Sequence, residues 1–162
     1  MCRMHDRKKL SDPWLIQELQ SLDVSDRIPE IVERIFLDKS VVHQCDKNND
    51  TPLHHAVRRE GLADIIKALV KCGANFKAKN DQGDTPLHIS AAHSIRNSIL
   101  LMQLGAKDNV INLACQLPED VFHQTFKGHS WFDIMPDPQV IVRNNRTYYS
   151  IDSQKKAECL SR

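Results

Sequence analysis

The 162-residue chain has no apolar run long enough to cross a bilayer, and its opening Met1-Cys2-Arg3-Met4-His5-Asp6-Arg7-Lys8-Lys9 leads into no secretory apolar core. It also lacks a charge imbalance. Its 22 basic and 21 acidic residues are interleaved, which excludes the electrostatic footprint of a non-specific nucleic-acid binder. Five cysteines, Cys2, Cys45, Cys72, Cys115 and Cys159, are odd in number and form no C-x-x-C pair, so reduced thiols are expected rather than a disulfide frame or a zinc site. A Gly-rich phosphate loop, G-x-S-x-G and H-E-x-x-H are all missing. The expectation is a soluble chain in the cytoplasm or nucleus, with no cofactor, no metal, no small-molecule substrate and no membrane insertion.

What the chain does have is internal repetition. Thr51-Pro52-Leu53-His54 recurs 34 residues later as Thr85-Pro86-Leu87-His88. Ile28, Ile31, Val32, Ile35 and Phe36 form a helical stripe that the same shift carries onto Leu62, Ile65, Ile66, Leu69 and Val70. One supersecondary unit therefore repeats, and such units bury their apolar faces only against neighbours. Thr before Pro is an N-cap ahead of a first-turn proline, and Gly73 stands where a helix would close.

The motif resembles the T-P-L-H-x-A signature of ankyrin repeats, fully over 51–56 and with Ser90 in place of Ala over 85–90. Cys72-Gly73-Ala74-Asn75 and Leu104-Gly105-Ala106-Lys107 resemble the family's close of the second helix. The resemblance implies an all-α solenoid of about four units. Residues 1–10 read as a flexible basic N-terminus, 11–45 as a divergent capping repeat, 46–79 and 80–111 as ankyrin repeats, and 112–135 as a degenerate C-terminal cap. Residues 136–162 read as an extension, with a β-hairpin formed by 139–142 and 147–151 and a polar, disordered tail from 153 to 162. Asn49 stands where the family has Gly, a change that a positive-φ turn tolerates. The segment 93–97 lacks the turn glycine, which predicts a short or late second helix there.

Candidate chemistry is sparse. The resemblance makes Thr51, Pro52, Leu53, His54, Thr85, Pro86, Leu87 and His88 scaffold, with both histidines bonding neighbouring turns. It also implies a non-catalytic module that binds another protein through turn tips and a helix face. Aligned onto this chain, the contact positions are Lys47, Asn48, Asp50, Arg58 and Arg59, then Lys77, Lys79, Asp81, Gln82, Asp84, His93 and Ser94. Short arrays of viruses and intracellular bacteria, some similar to the I-kappa-B class, imply a sharper form: an effector that masks a host signalling or transcription factor. An enzymatic alternative would draw on His123, His129 and Asp133 near Trp131. A third reading makes 139–151 a docking strand.

Overall fold

The computed structural model describes residues 13–21 and 24–131, and all regular structure among them is helical. Helices α1 (Trp14–Gln20), α2 (Ile28–Leu37), α3 (Pro52–Val57), α4 (Ala63–Lys71), α5 (Pro86–His93), α6 (Ile95–Gln103) and α7 (Pro118–Thr125) are joined by turns, with 3-10 segments at Ser25–Arg27 and Lys39–His43. None is long and apolar enough to cross a membrane.

The Thr-Pro pairs act as the sequence indicates. Thr51 and Thr85 are extended N-caps (ψ 165° and 166°), and the prolines occupy the first helical position, where a missing N–H costs nothing. The second helices end on glycine at φ 92° (Gly73) and 101° (Gly105). At each, the glycine N–H donates to the carbonyl three back and the following alanine N–H to the carbonyl five back (Val70 and Leu69, Met102 and Leu101). This paired closure needs the left-handed conformation that glycine adopts freely.

Helices α1, α3, α5 and α7 pack in sequence as one layer, with α2 and α4 as neighbours in a second layer behind them. Leu15, Leu19, Ile31, Ile35, Leu53, Ile65, Ile66, Leu69 and Leu87 are fully buried between the layers. The matched stripes are not buried equally. In the second stripe Leu62, just before α4, and Ile65, Ile66 and Leu69 within it are buried and Val70 is half-buried, whereas in α2 Ile28 and Val32 are half-buried and Phe36 is exposed. A terminal unit has a neighbour on one side only.

The expectation of a short second helix in 80–111 is corrected. Helix α6 has nine residues, as many as α4. The single residue Ser94, extended and bonded through its side chain to the Asn97 N–H, replaces the longer turn containing Gly61. The stripe itself has changed chemistry: Ser94, Asn97 and Ser98 stand where the preceding unit has Leu62, Ile65 and Ile66, and all three are buried. Each is bonded. Asn97 Nδ2 donates to the carbonyls of Val57 and Arg59 at 2.9 Å, Ser98 Oγ donates to Ser90 Oγ at 3.0 Å, and Ser94 Oγ donates to Glu60 at 3.1 Å. Satisfied buried polar groups permit this exchange where unpaired ones would not.

At the other end Phe122 and Trp131 are fully buried and meet edge to face at 5.2 Å between centroids, with Phe126 tilted against Phe122 at 5.1 Å. Trp131 closes that face of the core. The proposed hairpin, Asp133 and the two terminal segments lie outside the described residues. Cys45 and Cys72 stand outside any disulfide, their Sγ atoms 3.8 Å from Asn49 Oδ1 and the Ile35 carbonyl, while Cys115 is disulfide-bonded, a departure from the expectation of thiols throughout.

Candidate functional site: the row of turn tips

Three turns, 46–50, 80–84 and 112–116, are built alike. In each, the first residue's N–H donates to the carbonyl four residues on, at 3.0–3.1 Å (Asp46 to Asp50, Asn80 to Asp84, Asn112 to Gln116). The same residue's side-chain Oδ1 accepts the N–H groups two and four residues on at 2.8–3.0 Å: Asn48 and Asp50, Gln82 and Asp84, Ala114 and Gln116. The fourth residue takes positive φ in every case, at Asn49 (59°), Gly83 (75°) and Cys115 (59°). Asn49 fills the glycine position as expected. Gly83 meets a second constraint, since a Cβ there would lie 2.7 Å from the Leu113 nitrogen.

The turns are also bonded to each other. Asp81 N–H donates to the Asn48 carbonyl and Leu113 N–H to the Gln82 carbonyl, each at 3.0 Å. Asn80 Nδ2 donates to Asp50 Oδ1 at 2.9 Å and Asn112 Nδ2 to Asp84 Oδ1 at 2.8 Å. Beneath them, His54 Nε2 reaches the Asp84 carbonyl at 3.1 Å and His88 Nε2 the Gln116 carbonyl at 3.0 Å. A carbonyl only accepts, so Nε2 carries the proton. The lone pair on Nδ1 then accepts the Thr51 or Thr85 N–H, at 3.1 and 3.2 Å. Burial lowers the pKa of both imidazoles, outweighing the opposing bond to the carbonyl, so the neutral form is favoured.

This geometry divides the aligned contact positions. Lys47, Asn48, Lys77, Asp81, Gln82 and His93 are exposed, and of these Asp81 Oδ1 also accepts from Asn49 Nδ2 of the preceding turn. Asp50 is buried, bonded to Asn80 and to Arg58 Nη2 at 2.9 Å, so Asp50 belongs to the scaffold and Arg58 is only partly free. Arg59 Nη1 donates to the carbonyls of Leu19 and Ser21, tying α3 to the first unit. Lys79 Nζ donates to the Ile111 carbonyl at 2.8 Å, Asp84 accepts from Asn112, and Ser94 caps α6. For Asp50, Arg59, Asp84 and Ser94 these bonds give a structural role, while Lys79 is tethered but exposed. Asn80 and Asn112 were missed. Their signal was an Asx residue at the head of each turn, in register with the Thr-Pro motif.

A second polar cluster joins Asp46, Asp50 and His55, with ligand-type atoms within 4.8 Å of one another. Its donors are already engaged: Asp46 Oδ1 by backbone N–H groups, Asp46 Oδ2 by His55 Nε2 at 3.0 Å, and Asp50 by Asn80 and Arg58. The suggested enzymatic group does not assemble among the described residues. His123 is exposed and lies 3.5 Å from Glu119, whose carboxyl is raised mainly by burial; His129 is exposed; Trp131 is buried with Nε1 3.4 Å from Asp108.

Residues 23–112, more than half of the chain, match the model of a family described as ankyrin repeats in three copies. Among similar proteins, XBAT35 of Arabidopsis thaliana, named as a candidate E3 ubiquitin-protein ligase, is 32% identical over 107 residues, covering 64% of this chain and 23% of its own length. Protein fem-1 homolog C of Mus musculus is 23% identical over 158 residues, covering 82% and 26%. Protein phosphatase 1 regulatory subunit 27 of Mus musculus is 36% identical over 76 residues, covering 46% and 49%. The chain thus spans about a quarter of the first two and about half of the third. With the repeated turns, the capped helix pairs and the histidine bonds between units, this match means that the chain belongs to the ankyrin-repeat family.

Proposed function

We propose that this chain is a non-catalytic module that binds a partner protein through the exposed side chains of its turn tips, chiefly Lys47, Asn48, Asp81 and Gln82, with Lys77 and His93 beside them. Repeats of this family generally mediate protein–protein interaction. One observation carries the reading for this chain. The tip side chains are exposed on a backbone whose turns are bonded to one another, so their spacing is set before contact and little ordering entropy is lost on binding. Acidic, basic and amide groups alternate along the row, which suits a polar, charge-complementary partner surface rather than an apolar groove.

A regulatory form of this reading is supported by the phosphatase relative, whose name is that of a regulatory subunit and half of whose length the chain spans. On that reading the module masks or positions its partner, as the effector-type arrays suggest. The test is cross-linking capture with wild type and with Lys47→Ala/Asn48→Ala/Gln82→Ala, which removes tip side chains and leaves the bonds within and between the repeated turns in place, that from Asn49 Nδ2 to Asp81 Oδ1 included. Partners should be lost from the triple variant and kept by His123→Ala/His129→Ala. An unchanged partner set in the triple variant would reject the tips as the binding surface.

A further inference from the structure

The second layer of helices is interrupted. Helix α4 packs on α2 but makes no comparable contact with α6, whose Asn97 and Ser98 bond instead to the Val57 carbonyl and to Ser90 in the first layer. A cleft of about 470 Å³ lies at this junction, between the loop 73–77 that follows α4 and Gly105 and Lys107 beyond α6, with the half-buried Phe76 in its wall.

Positive charge is concentrated around the cleft. Residues 65–80 contain Lys67, Lys71, Lys77 and Lys79 and no acidic residue, and residues 85–107 contain Arg96 and Lys107 and again none, in a chain of formal charge +1. The two carboxylates between these stretches, Asp81 and Asp84, belong to a turn tip and accept from Asn49 and Asn112. Lys67 lies 3.8 Å from Asp64 and Lys79 is held by the Ile111 carbonyl, but Lys71, Lys77 and Lys107 are exposed and make no ion pair among the described residues.

Part of this excess complements the negative ends of α4 and α6. Those ends are not saturated, however. The carbonyls of Gly73, Ala74 and Gly105, which line the cleft, accept no hydrogen bond among the described residues. Ammonium donors therefore stand beside unfilled carbonyl acceptors. A peptide answers both, with carboxylates for the lysines and N–H groups for the carbonyls, whereas a phosphate backbone offers acceptors alone.

An apolar element lies one repeat earlier. Phe36 and Leu37, at the end of α2, are exposed, Leu37 at 80%, and the 34-residue shift sets them in register with Val70 and Lys71 of the adjacent α4. We infer that this outer edge, from Phe36 and Leu37 to the cleft at Lys77 and Lys107, docks an acidic peptide segment of a partner protein that begins with apolar side chains. The apolar end covers Leu37, and the carboxylates meet Lys71, Lys77 and Lys107. Neighbouring helices stand roughly 8–10 Å apart and an extended residue spans ~3.3 Å, so about six or seven residues reach across the two repeats. The inference goes beyond the tip-binding reading and shares only Lys77 with it.

The test titrates acetyl-Leu-Phe-Gly-Asp-Glu-Asp-Glu-amide into the full chain labelled with ¹⁵N. Saturable shifts should appear at the amides of Leu37, residues 73–77, Gly105 and Lys107. Lys77→Gln/Lys107→Gln should weaken binding about five- to tenfold, the effect of two exposed ion pairs, while Lys127→Gln, which removes an exposed charge elsewhere, should change it less than about twofold. Shifts spread over all lysines without saturation, equal binding of the probe with Asn and Gln in place of its acids, or indifference to the double variant would each overturn the inference. So would pentathymidylate, which carries the same charge, shifting the same amides as strongly, an outcome that assigns the cleft to nucleic acid. Contacts from residues 1–12 or 132–162 to the cleft would assign it to the chain itself. A silent probe removes this edge alone, because the capture experiment on the tip triple variant tests the binding-module reading separately.

Discussion

His54 donates through Nε2 to the backbone carbonyl of Asp84, thirty residues further along, at 3.1 Å, while its Nδ1 accepts the N–H of Thr51. One ring therefore caps its own helix and fixes the next turn. The arrangement recurs at His88 with Thr85 and Gln116. At the third motif position Asp120 replaces histidine: its carboxylate still accepts the Leu117 N–H at 2.9 Å, but it has no N–H with which to reach a further turn.

Acid should weaken the stack through these rings. Burial depresses both pKa values below the ordinary 6.5, so between the folded and unfolded values the unfolded chain binds more protons and stability rises with pH. The contribution is complete above about pH 6.5 and is lost as pH falls through the depressed folded values. Urea midpoints should decline from pH 7.5 to pH 5.5, and a flat profile would show that the rings do not resist protonation in the folded state.

Asn97 should be costly to remove despite replacing an isoleucine of the preceding unit. Its amide satisfies two carbonyls, Val57 and Arg59, at the end of α3. Asn97→Ala leaves both without this donor and opens a small void, for a loss of about 2–3 kcal/mol in denaturant unfolding. A change below about 0.5 kcal/mol, the range of neutral surface substitutions, would mean that water replaces the amide without cost.

Two glycines should respond differently to alanine. Gly61, at φ 86° with open space around it, should lose only the conformational cost of a left-handed alanine, about 1 kcal/mol. Gly83→Ala adds a collision with the Leu113 nitrogen and side chain, and should cost clearly more, about 2–3 kcal/mol. Equal losses from the two substitutions in thermal unfolding would remove the close approach between turns as a determinant.

Much of this architecture was legible in advance. The 34-residue shift of motif and stripe fixes the repeat, and Thr-Pro and Gly-Ala mark where its helices begin and close. Helix α6 was misread because apolar periodicity cannot recognise a buried stripe made of Ser94, Asn97 and Ser98, whose burial depends on carbonyls and hydroxyls from α3, α5 and the link between them. The contact residues were only half legible for a related reason. Alignment assigns positions to the surface, but whether Asp50 is buried or Lys79 is tethered depends on Asn80 and the Ile111 carbonyl, partners 30 and 32 residues away.

Amide hydrogen exchange at the tips tests the account most directly. If the turns form one bonded row before any partner arrives, the N–H groups of Asp81 and Leu113 should be protected although both residues are exposed, while the N–H of Lys47, which has no bond to an earlier turn among the described residues, should exchange freely. Exchange of Asp81 and Leu113 as fast as Lys47 would contradict the account, leaving the tips as independent loops with no preset spacing to offer a partner.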